Sequence, residues 1–559
     1  MNERNGAEAM VELLAGHGVR HIFGLCGDTS LPFYDALARL DHPITHILMR
    51  DERHAAYAAD AYARLTGRPG VCEGPSGGGA TYIAPGLIEA NDSSVPVLAI
   101  TTDVATTSAG RFPLTELDQE ALFRPLTKWN GALRSASTLP RMVRRAFREM
   151  TTGRPGAAHL SLPFDVQKAP VDEAEIWADD RFGVYPALAA APAPAAIEAV
   201  AARLLAAEAP VVVCGGGVVL SGGEAALAAL VEALDLPVCT TVSGQGALAE
   251  THPLCAGVVG SNGGSPATRA LVDDSDCVFF VGCRAGSVTT ERWRSPAPGG
   301  TVLHLDSDPA VVGACYDTEA AIVADARLAL EALGDAVAGR RAPKNGAARV
   351  ADAKSRKWPP FRELAASEET PIRPERVIAE LQAALPEDAI VCADPGTPCP
   401  YFSAWYEWPK PGRHFLTNRA HGALGWSLGA SIGAQIARPD AKVLCAMGDG
   451  SFGMSVGELE TIKRLNLPIT IVVFSNAVFG WIKAGQKSGF GARYFSVDFT
   501  RTDHAAVTRA YGIKSFAAAD PGALGDVLKE AIAHDGPTLV DVIAQPLQEA
   551  EAPVSEWVA

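Results

Sequence analysis

Ala441-Lys-Val-Leu-Cys-Ala-Met-Gly-Asp-Gly-Ser-Phe452 joins an apolar run to a glycine-flanked acid, and a second apolar run, 469–474, ends at Asn476. The two runs predict buried parallel strands, with a helix of suitable spacing over 451–465 between them. Gly448-Asp449-Gly450 turns the chain, and its glycines let the backbone approach a ligand closely. Asp449 and Asn476 then fall at the same ends of neighbouring strands, where open α/β sheets collect ligands. A carboxylate, an amide oxygen and a free backbone carbonyl suit a hard cation such as magnesium, together with a diphosphate. The alternative is a plain strand–turn–helix unit in which the tripeptide only makes a tight turn; Asn476 at the far strand end favours the metal.

Working outward, the same strand–turn–helix rhythm recurs along the 559 residues. Strands are expected at 21–24, 44–49, 70–72 and 95–101 in the first third, at 211–214, 236–241, 277–282 and 302–306 in the middle, and at 389–394, 441–447, 469–474 and 538–543 in the last. This pattern predicts α/β architecture: three doubly wound parallel-sheet domains, spanning 1–170, 190–335 and 370–559. Residues 168–195 and 336–368 read as linkers, the tail 549–559 has no strong pattern, and 103–130 reads as a polar loop.

Composition narrows the function. Forty-eight basic against 64 acidic residues give a net charge of −16 with no basic block, so nucleic acid is not an expected partner. No apolar run has membrane-spanning length, and no secretory signal is visible at the N-terminus. The 11 cysteines contain no C-x-x-C pair and several lie in strand patterns, so a reduced, cytoplasmic protein is expected. The cluster Gly215-Gly216-Gly217 is not a G-x-G-x-x-G fingerprint, and a structural role is preferred.

Glu52, at the end of the second predicted strand, reads by itself as a helix N-terminal acid in solvent. Its surroundings change this. Arg50-Asp-Glu-Arg-His-Ala-Ala-Tyr57, followed by Tyr62-Ala-Arg-Leu-Thr-Gly-Arg-Pro-Gly70, resembles the pyrimidine-domain glutamate segment of thiamine-diphosphate enzymes. Gly448-Asp449-Gly450, 25 intervening residues and Asn476 resemble the cofactor motif of the same family, in the same order along the chain. The resemblance covers nearly the whole chain and is greatest to the acetohydroxyacid (acetolactate) synthase catalytic-subunit group.

That resemblance implies thiamine diphosphate and Mg2+ as cofactors. Asp449, Asn476 and the Val478 carbonyl match the metal ligands, and Thr397, Gly450 and Ser451 are candidates to hold the diphosphate. Glu52 matches the carboxylate that binds the aminopyrimidine, where burial would raise its pKa. The Gly422 carbonyl would receive the 4′-amino group. Leu424 matches the apolar residue that bends the cofactor, although an ordinary core leucine fits equally. Gln119, within Leu117-Asp-Gln-Glu120, matches a glutamine that approaches the thiazolium, or is a surface loop residue. His421 reads as structural rather than acid–base. The middle domain binds FAD in some relatives and ADP in others, and nothing in many.

The implied chemistry is that of a decarboxylase or carboligase acting on a 2-oxoacid or related carbonyl compound through a C2 carbanion and an enamine. The expected assembly is a homodimer or homotetramer with active sites between subunits. Departures bear on the substrate: Phe164 stands where those synthases have lysine, the run at Arg284 lacks the second arginine, and Ala484-Gly485 replaces Gln-Trp. The acceptor contact is therefore altered, and flavin binding is in doubt. Alternatives are a 2-hydroxyacyl-CoA lyase or oxalyl-CoA decarboxylase and, from another class, a non-catalytic cofactor-binding regulatory homologue.

Overall fold

The computed structural model describes residues 4–340 and 344–550. Its framework is three six-stranded parallel sheets, with one small antiparallel pair, Arg4–Asn5 with Pro170–Val171. The central strands are apolar on both faces, as a sheet covered by helices requires; Val97–Asp103, Cys277–Val281 and Val443–Gly448 are buried along almost their whole length.

Counted in chain order within each sheet, the first runs 2-1-3-4-6-5 and the last runs 2-1-3-4-6-5 as well. The shared rhythm of the outer thirds is thus a shared topology. The middle sheet runs 3-2-1-4-5-6, the order of doubly wound nucleotide folds. Each expected strand is present to within a few residues. Trp129–Ala132, Cys255–Val258, Ala320–Val323, Phe415–Thr417 and Lys514–Ala518 are further strands that the apolar runs did not reveal. All five are sheet edges; Trp129–Ala132, Ala320–Val323 and Lys514–Ala518 are only partly buried and so weakly patterned, whereas Cys255–Val258 and Phe415–Thr417 are buried but only four and three residues long.

The chain gathers into two compact units. One holds the first sheet with residues 418–440 and 455–467; the other holds the middle and last sheets. Within the first unit, helix Trp426–Ala437 lies against helix Glu52–Thr66 at very close range. A Cβ on Gly433 would come 2.0 Å from the Ala58 carbonyl oxygen, and one on Gly429 would come 3.0 Å from that of His54. This explains the small residues of both segments: side chains are kept small where backbones touch.

Three expectations are corrected. The linker 336–368 contains a 20-residue helix, Gly346–Ala365. Its basic residues hide a stripe of Val350, Ala353, Lys357 and Phe361, buried at helical spacing. The helix expected over 451–465 is broken into Asp449–Ser455 and Glu458–Arg464. At the break Glu458 turns inward, where its carboxylate accepts the Arg50 N–H at 3.0 Å and the Thr461 hydroxyl at 2.7 Å. Helix Gln119–Phe123 interrupts the loop 103–130. Most of the tail, 551–559, lies outside the described residues.

Candidate functional site

In the first unit, strand Thr45–Leu48 delivers the chain to Asp51, whose carboxylate caps helix Glu52–Thr66 by accepting the Arg53 N–H at 2.8 Å. Glu52 is therefore the first residue of the helix, as expected. It is not solvated: only 8% of it is exposed, and its carboxyl has no side-chain hydrogen-bond partner among the described residues. Burial raises its pKa, and the neighbouring acids Asp51 and Glu73 raise it further.

Room beside this carboxyl is kept by the turn after strand Gly70–Gly74. A Cβ on Gly79 would lie 3.0 Å from Glu52 Oε1, and one on Gly74 would lie 3.2 Å from Glu52 Cγ. A buried acid without a side-chain partner, beside a cradle that any side chain would narrow, fits a ligand that offers it a hydrogen bond.

Gln119 is buried rather than on the surface. Its Oε1 accepts the Thr101 hydroxyl, which also meets His159 Nε2 at 2.6 Å, and its Nε2 donates to the Thr102 carbonyl at 3.0 Å. Its amide is thus engaged inside the sheet at both ends. Burial holds His159 in its neutral form, with a pKa of about 3. Gly422 and Leu424 lie on the segment before helix Trp426–Ala437. Gly422, at φ +73°, is exposed, with open space where a side chain would be. Leu424 is half-buried, and the Asn418 side chain donates to the Ala423 carbonyl at 2.6 Å. The His421 side chain is exposed; its backbone is what the fold holds.

In the second unit, strands Ile390–Ala393, Val443–Gly448 and Thr470–Ser475 are consecutive and parallel. Thr397, Asp449, Gly450, Ser451 and Asn476 therefore all follow the same edge of one sheet. Asp449 Oδ1 accepts the Gly450 N–H at 2.9 Å, and Oδ2 accepts those of Asn476 and Ala477 at 2.8 and 2.6 Å. Burial raises its pKa against the pull of these amides. No lysine or arginine pairs with this buried carboxylate among the described residues.

The Asn476 side chain has no protein hydrogen-bond partner among the described residues, and the Val478 carbonyl enters no backbone hydrogen bond there. Between them Ala477 adopts φ +56°, a left-handed conformation that costs a non-glycine residue about 1 kcal/mol and turns the chain after the strand. Gly450 is needed for space, since a Cβ there would come 2.8 Å from the Phe479 ring. This donor set of carboxylate, amide oxygen and free carbonyl fits a hard cation.

In the middle sheet Gly215, Gly216 and Gly217 allow tight packing. The Gly217 N–H donates to the Gly282 carbonyl at 3.1 Å, and a Cβ on Gly215 would sit 2.2 Å from that oxygen. Sequence reasoning passed over several buried acids, Glu73, Glu89 and Glu458 among them. The signal for Glu73 and Glu89 was an acid inside an apolar strand or helix pattern.

Comparison with known families defines the class. The thiamine pyrophosphate enzyme N-terminal TPP binding domain matches residues 4–122, the central domain matches 197–333, and the C-terminal TPP binding domain matches 396–542. The chain belongs to the thiamine pyrophosphate enzymes, and it is a thiamine-diphosphate-dependent enzyme. Within that family it is similar to the probable acetolactate synthase large subunits of Methanococcus aeolicus and Methanocaldococcus jannaschii. Identity is 35% and 34%, covering 97% of this chain and 92% of each relative. The acetolactate synthase isozyme 2 large subunit of Escherichia coli is 32% identical over 97% of this chain and 96% of its own. Among the described residues no helix is long and apolar enough to cross a membrane.

Proposed function

We propose that this enzyme is a decarboxylase or carboligase of 2-oxoacids that works with thiamine diphosphate and Mg2+. The observation that carries this is Glu52, a buried carboxyl without a side-chain partner among the described residues, just past a strand end, in the segment that resembles the family's pyrimidine site. The similarity to acetolactate synthase large subunits supports a 2-oxoacid donor. The domain limits 1–170, 190–335 and 370–559 are part of the same proposal.

Thiamine diphosphate, when bound, supplies the carbon nucleophile and electron sink for cleavage next to a carbonyl group. Glu52 would hold the aminopyrimidine and, with its raised pKa, share a proton with it. The Gly422 carbonyl would accept the 4′-amino group, and Leu424 would press on the bend of the cofactor. Thr397, Gly450 and Ser451 would hold the diphosphate. Asp449, Asn476 and the Val478 carbonyl would hold Mg2+, which would neutralise an Asp449 charge that no lysine or arginine meets among the described residues. Gln119, with its amide engaged by Thr101 and Thr102, would act as a fixed polar wall.

The cofactor would be shared between copies of the chain, the Glu52 half from one and the Asp449 half from another, in a homodimer or homotetramer. All 11 cysteines are free and nine of them are buried, which supports a cytoplasmic location.

The test is CO2 release and product identity with thiamine diphosphate and Mg2+, over pyruvate, larger aliphatic and aromatic 2-oxoacids, and 2-hydroxyacyl-CoA or oxalyl-CoA thioesters. Turnover of a 2-oxoacid is expected. Silence on every oxoacid together with cleavage of a thioester would overturn the proposal.

A further inference from the structure

Glu89 is fully buried on helix Gly78–Asp92, and the functional reading above gives it no part. That helix is pinned to helix Glu52–Thr66 by close approach: a Cβ on Gly86 would come 2.3 Å from the Ala56 Cβ. One helical turn on from Gly86, the Glu89 carboxylate faces the segment that carries Gly422 and Leu424. Oε1 accepts the N–H groups of Arg419 and Ala420 at 3.1 and 3.3 Å, and Oε2 accepts those of Ala420 and His421 at 3.1 and 2.7 Å.

Two further donors reach the Glu89 carboxylate. The Ser93 hydroxyl meets Oε1 at 2.7 Å and the Arg64 guanidinium meets it at 3.4 Å. Arg64 in turn pairs with buried Asp60 at 2.9 Å, and Asp60 accepts the indole N–H of Trp426 at 3.2 Å. One buried network thus links the acid to the first residue of helix Trp426–Ala437.

Beyond this grip, the segment is held by the buried Asn418 side chain at the Ala423 carbonyl. Ala420, His421 and Gly422 are exposed, and Gly422 is in the left-handed region, where packing imposes nothing. Three consecutive amides turned toward one anion form a concave backbone nest of the kind that an anion stabilises.

We propose that Glu89 is a positioning residue: by gathering the amides of Arg419, Ala420 and His421, it sets where the Gly422 carbonyl and the Leu424 side chain stand to receive the aminopyrimidine half of the cofactor. This rests on the roles proposed above for Gly422 and Leu424. Glu89 itself touches no substrate or cofactor.

The test is Glu89→Gln, which keeps the shape but turns one acceptor oxygen into an NH2 group facing backbone N–H donors. Two measurements need no turnover: amide hydrogen exchange of the cofactor-free enzyme over 418–425, and thiamine diphosphate affinity by calorimetry with Mg2+. The expected result is exchange faster by about tenfold or more at 419–421, with strands Gly70–Gly74 and Val97–Asp103 unchanged, and affinity weaker by about tenfold. Glu89→Asp should recover part of both.

Unchanged exchange at 419–421 would overturn the grip of Glu89 while leaving the roles of Gly422 and Leu424 intact. Faster exchange with unchanged affinity would overturn those roles and the inference with them. Should Glu89→Gln fail to fold, Ser93→Ala removes only one donor to the carboxylate and should shift both readouts less, in the same direction; no shift would overturn the inference.

Discussion

Asp449 Oδ2 accepts the Ala477 N–H at 2.6 Å, tying the end of one strand to the residue that turns the chain beyond its neighbour. The bond makes the Asp449 carboxylate the keystone of both strand ends. Asp449→Asn would place an amide against the N–H groups of Gly450, Asn476 and Ala477. We expect loss of Mg2+-dependent cofactor binding and a stability loss of about 1–3 kcal/mol. Titration calorimetry and thermal unfolding check the two separately.

The role proposed for Glu52 is chemical rather than architectural, because its carboxyl supports no side-chain hydrogen bond among the described residues. Glu52→Gln should therefore leave thermal stability nearly unchanged and keep cofactor binding. Exchange of the cofactor's C2 proton should fall by about 100-fold or more. Rapid-quench exchange in D2O, followed by NMR, measures it; an unchanged rate would remove Glu52 from its role.

Gly433 sits where two helix backbones meet, with 2.0 Å between its virtual Cβ and the Ala58 carbonyl oxygen. No rotamer relieves a backbone contact. Gly433→Ala should destabilise the enzyme by about 1–3 kcal/mol or more, seen as a lower thermal unfolding temperature. Gly453→Ala, at a glycine with open space around its Cβ position, is the control and should be nearly neutral.

Glu250 is buried beside Lys357, with Lys354 and Glu407 nearby, and burial pushes its pKa up to about 7 although Gln245 donates to it at 2.9 Å. Between the ordinary value of 4.5 and about 7 the folded chain keeps a proton that the unfolded chain has released. The contribution of this group to stability is thus full below that window and falls as pH rises through it. Relative to Glu250→Gln, the wild type should lose about 3 kcal/mol across the window. Denaturant unfolding at a series of pH values tests the slope.

Much of the fold was legible because strand–turn–helix periodicity is local. The run 441–447, the small-residue segment 427–436 and the turn at 448–450 each declare themselves within a dozen residues. The edge strand Lys514–Ala518 and the helix Gly346–Ala365 were not legible. One has too little burial to pattern it, and the other carries charges that mask its apolar stripe. Among candidate site residues, Asp449 and Asn476 could be placed together because adjacent strands were predicted on either side of one helix. Nothing local distinguished a buried Gln119 or Glu52 from a solvated one.

Sequence alone determined the three-sheet α/β class and singled out the candidate site residues, since motif spacing and hydrophobic period survive without any knowledge of contacts. Tertiary structure alone decided the order of strands in each sheet, the company that helices Trp426–Ala437 and Glu458–Arg464 keep with the first sheet, and the partners of the buried acids. Glu89 lies more than 300 residues from the amides it gathers. A contact of that kind is set by how helices pack, and no property of either segment by itself encodes it.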